Sequence, residues 1–344
     1  MSEKTNSKGT GAETILVPTA AGLYCPAGDF YIDPTRKVPR AIITHGHSDH
    51  ARKGHTAVLA TRATLAFMAL RYGKTFAATS QAVREGETLT LGDAKVTLLA
   101  AGHMLGSVQV HIEHEGVRAI VSGDFKRSAD PTCPAFDVRP CDLLVTEATF
   151  ALPLYRHPPP EGEIEKLLLS LHLFPDRPHL VHAYSIGKAQ RVIALLRAAG
   201  YTEPVHVHRA IAEASLIYQD EGIALGPLET LEADLSDPHA LDGKCILSPP
   251  GGATDTLMDP VTSFASGWMR LKSAAKSRGG DLPLILSDHA DWDELVATVK
   301  DVGAQTLWIT HGREDVLAAH VRETLGVEAK ALSAMPHALE GFPP

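Results

Sequence analysis

Cysteine is scarce in this chain: 344 residues hold only Cys25, Cys133, Cys141 and Cys245, with no CxxC pair among them. A disulfide framework or a cysteine zinc site is therefore not expected, and a reducing cytoplasm suits the composition. No apolar run approaches the roughly 18 residues that a membrane span needs. The opening stretch MSEKTNSKGTGA is polar, reads as a flexible tail, and lacks the apolar core of a secretory signal. Positive charge is also in deficit. Lys and Arg number 32 against 41 Asp and Glu, a net of −9, which argues against coating nucleic acid through bulk charge. The signatures GxxxxGK[ST], HExxH and GxSxG are all missing, so nucleotide phosphate-loop, zincin and serine-hydrolase chemistries lack support. One residue is in excess. The 18 histidines are about twice an ordinary share, and histidine is the commonest metal ligand. With 44% hydrophobic residues, the chain is long enough for one large domain or two.

The first half reads as short strands joined by turns. Val96–Ala100 and Val108–Ile112 are apolar and β-branched, and the turn Glu113–Gly116 leads into Arg118–Ser122. A helical pattern at Arg62–Arg71 stops at Gly73. After Pro158–Pro160 the texture changes to alternating strands and helices. Val181–Ala183 precedes a helix near Gly187–Ala199, Val205–Val207 and Ile246–Leu247 look like buried strands, and Leu284–Ser287 and Thr306–Thr310 follow. Such alternation predicts an α/β fold with parallel strands.

The most informative stretch is Thr44-His45-Gly46-His47-Ser48-Asp49-His50, directly after the apolar run Ala41–Ile43. Sites of layered α/β folds lie at the carboxyl ends of strands. Three imidazoles and a carboxylate so close together share no helix or strand face; they converge only through a sharp turn, for which Gly46 is available. Metal ligation by one ion or two adjacent ions is the expected use. Other strand ends repeat the theme. His103 follows Val96–Ala100, Asp124 follows the strand ending at Ser122, and Glu147 follows Asp142–Thr146. His289 and His311 follow the last two predicted strands. Ligand or acid–base residues after strand upon strand call for one shared site.

Taken together, these motifs resemble the metallo-β-lactamase fold, and more narrowly its β-CASP nucleases, from Asp33 to His311. The resemblance implies an αββα sandwich with an inserted α/β β-CASP domain. Residues 13–152 and 283–344 would form the sandwich, 153–282 the insert, and 1–12 the tail. It implies two divalent metal ions, zinc or manganese. One would be held by His45, His47 and His103 and the other by Asp49, His50 and His311, with Asp124 between them and Asp33 supporting the loop. Two such ions activate water and offset phosphate charge. VTEATF, SDHADW and ITHGRE match the β-CASP motifs through Glu147, His289 and His311. His289 would then serve the leaving group with Glu147 behind it. In this picture Asp49 belongs to the catalytic set as well as to the metal set.

Within the group, the compact length is most similar to the bacterial ligase-associated DNA exonucleases. That implies DNA as substrate, hydrolysis from a 5′-phosphate end in repair, and a DNA ligase and helicase as pathway partners. An RNA-processing nuclease of the ribonuclease J kind and an inactive metal-bearing subunit are the alternatives. The segment Ala151–Asp288 carries 12 Lys and Arg against 17 Asp and Glu, a net of −5, so a compact anchor should matter more than broad charge. Ser185, Gly187 and Lys188, at a strand-to-helix turn, are the candidate phosphate anchor. A second basic feature, Arg270, Lys272, Lys276 and Arg278 beside Trp268, reads either as a solvated helix face or as a track for a phosphate backbone.

Overall fold

A computed structural model describes residues 12–231, 237, 239–252, 257–277 and 280–336. Residues 1–11 of the expected tail, and Arg278 of the basic run, lie outside the described residues.

After a short helix α1 (Ala12–Ile15), six strands make a first sheet in sequence order: β1 (Val17–Thr19), β2 (Gly22–Cys25), β3 (Phe30–Ile32), β4 (Arg40–Ile42), β5 (Ala57–Ala60) and β6 (Thr79–Ala82). The pairs from β3 to β6 are parallel, so the ends of β3 and β4 open on the same edge. Helix α2 (Arg62–Tyr72) falls where its pattern predicts. The Thr61 hydroxyl accepts the Thr64 N–H at its start, and Gly73 ends it.

A second sheet begins with β7 (Thr88–Leu91), β8 (Ala94–Ala100), β9 (Val108–His114) and β10 (Val117–Val121), an antiparallel meander. Glu115 and Gly116 both adopt positive φ, the requirement of a tight hairpin. Strand β11 (Leu143–Ala148) then pairs parallel to β10.

The chain next builds a third sheet. In order come α3 (Pro160–Leu173), β12 (His179–His182), α4 (Lys188–Ala198), β13 (Val205–Val207), α5 (Arg209–Asp220), β14 (Leu228–Thr230), β15 (Cys245–Ser248), β16 (Val261–Ala265), α6 (Lys272–Ser277) and β17 (Leu282–Leu284). Every pairing in this sheet is parallel, in the order β14-β13-β15-β12-β16-β17, as the alternation predicts. Finally α7 (Trp292–Val302) leads back to the second sheet, where β18 (Thr306–Gly312) lies parallel to β11, and α8 (Glu314–Leu325) and β19 (Glu328–Ala331) complete it.

The packing follows from which faces are apolar. Phe30, Ile42 and Leu59 of the first sheet meet Val96, Val110 and Trp308 of the second in one buried cluster. Met68 of α2 packs on the outer face of the first sheet with Ile43 and Val58. Leu295 and Val299 of α7 and Leu317 and Val321 of α8 pack on the outer face of the second. The layers therefore run helix, sheet, sheet, helix. The third sheet has its own core around Val192, Val207 and Leu247, and Phe67 of α2 and Met104 join that core.

Three expectations need correction. The predicted strand Leu284–Ser287 ends where it was expected to begin, at Leu284. The backbone beyond it bonds to side chains instead: Ile285 N–H to Glu163, and the Leu286, Ser287 and His289 carbonyls to Lys188, Arg191 and Lys126. Glu147 and His311 lie inside β11 and β18 rather than after them. Gly46 makes its turn without positive φ; glycine is needed because a Cβ would approach Phe67 to 2.9 Å.

Candidate metal centre

The ends of β3, β4, β8 and β10 and the last residues of β11 and β18 meet at one edge of the two-sheet unit, and the expected residues meet with them. His45 Nε2 and His103 Nε2 lie 3.2 and 3.1 Å from His47 Nδ1. The Asp124 carboxylate Oδ2 is 3.5 Å from His45 Nε2 and 3.9 Å from His103 Nε2. The same oxygen is 3.5 Å from His50 Nε2. His50 in turn groups with Asp49 and His311, its Nε2 3.8 Å from Asp49 and its ring 4.9 Å from that of His311.

The outer hydrogen bonds fix the tautomers. His47 Nε2–H donates to the Ile186 carbonyl and His103 Nδ1–H to that of Asp288. Thr44 Oγ1 donates to Asp33 and so accepts from His45 Nδ1–H. Burial also keeps all three rings neutral: it pushes His45 and His47 down and His103 down to about 3, helped in each case by neighbouring histidines. Three inward nitrogens then face one another with bare lone pairs. Their separations are close to the ~3.4 Å between donors set tetrahedrally on a metal at 2.0–2.1 Å. A cation fits between them; without one they repel.

The second group offers an unpartnered nitrogen of its own, set among carboxylates. His50 Nδ1–H donates to Asp33 Oδ2 at 2.7 Å, while its buried Nε2 has no hydrogen-bond partner. Burial disfavours the charged ring, but Asp124 and Asp33 outweigh it and raise His50 to about 10. Asp33 also accepts the Thr44 N–H, tying the ends of β3 and β4 together. Both Asp33 (φ 43°) and His311 (φ 55°) are left-handed without being glycine, strain of the kind that functional sites store.

His289 stands beside these donors, its ring 22% exposed. Its Nδ1–H donates to Glu147 Oε2 at 2.9 Å. Glu147 is held by the Phe125 N–H and the Thr149 hydroxyl. Burial opposes a charged His289, yet Glu147 and Asp124 raise it to about 9, so it carries its proton at neutral pH.

The expected phosphate anchor is not assembled. Lys188 is 2% exposed, and its ammonium is bound to Asp288 at 2.5 Å and to the Leu286 carbonyl at 2.9 Å. The Gly187 N–H donates to Gln190 and the Ala189 N–H to Tyr184, so the helix start has few free donors. Of the three, Ser185 alone is not buried, although Lys188 also borders the cleft. Asp288, Lys126 and Arg191 escaped the sequence reading. Asp288 sits in the singled-out SDHADW, next to His289, but nothing local marks it as the buried partner of a lysine a hundred residues away.

A cleft of about 730 Å³ opens on the centre, lined by His47, Asp49, Asp124 and His289 and by Tyr184 and Trp268. Fold and site together define a mixed α/β protein with clustered histidine and aspartate groups suited to divalent metals. No family model matches the chain. It is 30% identical over 322 residues to the Probable DNA ligase of Opitutus terrae, covering 90% of this chain and 30% of that protein. It is 28% identical over 139 residues to Cleavage and polyadenylation specificity factor subunit 3 of Dictyostelium discoideum, covering 39% and 18%. Against Endoribonuclease YSH1 of Kluyveromyces lactis it is 29% identical over 113 residues, covering 32% and 14%. The chain thus spans less than a third of the length of these relatives. In fold it is similar to a protein of unknown function from Enterococcus faecalis V583, with a TM-score of 0.58 at 12% identity over 87% of this chain and 79% of that one.

Proposed function

We propose that this chain is a metal-dependent phosphodiesterase of the metallo-β-lactamase fold with a β-CASP insert at 153–282. More finely, it is a DNA exonuclease of repair that starts from a 5′-phosphate end. The observation that carries the reading is the Asp124 carboxylate. One oxygen lies within 4.0 Å of His45, His50, His103 and His289, so a single group serves both donor sets and the neighbouring acid–base pair. Two divalent ions, zinc or manganese, would supply a nucleophilic water at neutral pH and offset charge on the phosphate.

The chain's own residues divide the remaining work. Asp33 and Thr44 hold His45 and His50 in the ligating tautomer. His289, charged through Glu147, is placed to give its proton to the leaving oxygen, and Thr149 and the Phe125 N–H keep Glu147 aimed. The chain's similarity to a protein named Probable DNA ligase, over 90% of its length, supports DNA and a link to strand joining, with a ligase and helicase as partners. Four free cysteines support action in the cytoplasm. Among the described residues no helix is long and apolar enough to cross a membrane.

The endoribonucleases among the relatives favour a second reading, an RNA-processing enzyme. An inactive subunit is disfavoured by the complete donor set. End-labelled DNA and RNA of one sequence, single- and double-stranded, each incubated with zinc or manganese, decide the matter. DNA shortened from its 5′ end supports the proposal; RNA cut in preference selects the second reading; no cleavage of any strand overturns both.

A further inference from the structure

The aromatic side chains of the cleft have no part in the chemistry above. Tyr184 follows β12 and Trp268 follows β16, and these two strands are parallel neighbours in the third sheet. Both residues therefore leave the same edge of that sheet, the carboxyl edge where parallel sheets bind ligands. Both line the cleft that holds His47, Asp124 and His289. They are also exposed, Tyr184 by 55% and Trp268 by 37%, so both rings are open to a ligand in the cleft.

Trp268 is a held ring rather than a loose one. Ser266 caps the 3-10 turn Gly267–Arg270 that carries it. Phe150 packs against it with ring centres 4.7 Å apart, and Tyr155 meets it edge-on at 5.3 Å. Gly267 is required for this stack, because a Cβ there would come within 2.5 Å of Phe150. Just beyond, Arg270, Lys272 and Lys276 are exposed, and among the described residues none of them forms an ion pair. A fixed aromatic platform beside exposed cations is the arrangement that takes a single nucleic-acid strand: bases lie on the rings and phosphates follow the cations.

We infer that Trp268 and Tyr184 are base-stacking positions, and that with Arg270, Lys272 and Lys276 they guide an unpaired strand into the metal centre. The inference rests on the nuclease reading and deepens it, by naming single-stranded ends as the substrate class. Bases inside a duplex already stack on one another, so their faces are not free for the rings.

The test uses the metal-loaded protein and nuclease-resistant phosphorothioate DNA strands. Trp292 and Trp308 are 5% and 1% exposed, so of the three tryptophans only Trp268 is open to quenching. Three ligands of equal charge per strand are compared: a single strand, the same strand without bases, and a blunt duplex. The inference expects strong quenching by the single strand and little by the abasic strand or the duplex. Trp268→Ala and Tyr184→Ala should each weaken single-strand binding about 10-fold, measured by anisotropy. Trp268→Phe, which keeps a ring face on Phe150, should restore most of the affinity even if Trp268→Ala disturbs the local packing. Equal quenching by intact and abasic strands, or unchanged affinity in both Tyr184→Ala and Trp268→Ala, overturns the inference. The two readings fail differently. If the nuclease reading is wrong, no natural strand is cut; if only this inference is wrong, strands are cut but are bound no better with bases than without.

Discussion

Four of the imidazole rings at the centre have an acceptor for the nitrogen that points away from it, and this is what makes their inward nitrogens usable. Ile186, Asp288, Thr44 and Asp33 take the outer protons of His47, His103, His45 and His50. Replacing Asp124 by Asn keeps the size of the side chain but halves its acceptor capacity and removes the shared charge. Asp124→Asn should therefore lose bound metal and cleavage together; elemental analysis finding metal content unchanged would refute the assignment. His289 stands apart from that set. His289→Ala should keep both metals and lose two or more orders of magnitude in kcat, whereas His311→Ala should lose metal from the His50 side. Equal metal loss in the two variants would show that His289 is a ligand rather than an acid. The shifted histidines also imply a pH dependence for the metal-free protein. His50 and His289 are raised to about 10 and 9. Their contribution to stability is complete below about 6.5, the unfolded value, and is lost as pH climbs through 9 to 10. His103, lowered to about 3 by burial and its histidine neighbours, acts oppositely: its contribution is present above 6.5 and fades as pH falls toward 3. The Tm of chelator-treated protein should peak near pH 6.5, and a Tm that climbs steadily from pH 6.5 to 9.5 would contradict these signs.

At the scale of elements, the segment 285–290 is the least regular part of the centre and the most tightly braced. Lys188 and Arg191, one turn apart on α4, hold the Leu286 and Ser287 carbonyls, and Lys126, from the link after β10, holds that of His289. Arg191 is itself paired with Asp130 at 3.2 Å, and Lys126 with Glu294 at 3.3 Å. Three buried cations from two elements thus set the backbone whose Asp288 carbonyl aims His103 and whose next residue is His289. Lys188→Met leaves the Asp288 carboxylate buried and unpaired, a loss of roughly 3–5 kcal/mol. Pairing it with Asp288→Asn should recover much of that, since neither charge remains. Thermal melts of the two single variants and the double test this; additive losses would mean that the pair is not coupled. This bracing explains which parts were legible beforehand. Strands such as β9, β12 and β13 and helices α2 and α4 follow apolar periodicity and glycine stops, which are local. The histidine motif was legible too, because its spacing is compact and it follows a buried strand. The end of β17, the occupation of Lys188 and the role of Asp288 depend on partners about a hundred residues distant, and no local pattern records them. Lys188 read as an anion anchor because a lysine at a helix start is usually solvated; here it is buried against the 285–290 segment, where the Leu286 carbonyl accepts from it and Asp288 supplies the counter-charge.

On the scale of the whole molecule, charge and shape restrict how a polyanion can be held. The segment between Ala151 and Asp288 is net −5, and the exposed Asp49 carboxylate faces the cleft. A duplex lying across this surface would meet net repulsion, which argues for entry of one strand end into the cleft rather than for grip along a length of DNA. An end that enters must be recognised near the metal donors, where the cleft wall offers polar groups such as Ser185 and, besides the spent Lys188 and the histidines, the single cation Arg71. A terminal phosphate satisfies both conditions, because its charge can be met by the centre itself while the rest of the strand stays outside. The expectation is that a 5′-phosphorylated strand is degraded at least several-fold faster than its 5′-hydroxyl twin, and that a closed circular single strand is left intact over the same period. The preference should survive in Lys188→Arg, since that ammonium is spent on Asp288 rather than on substrate. Time courses on the three strands, resolved on denaturing gels, give the answer. Ready cutting of the circle, or equal rates on the two linear strands, would make the enzyme an endonuclease and remove the need for an end-binding site.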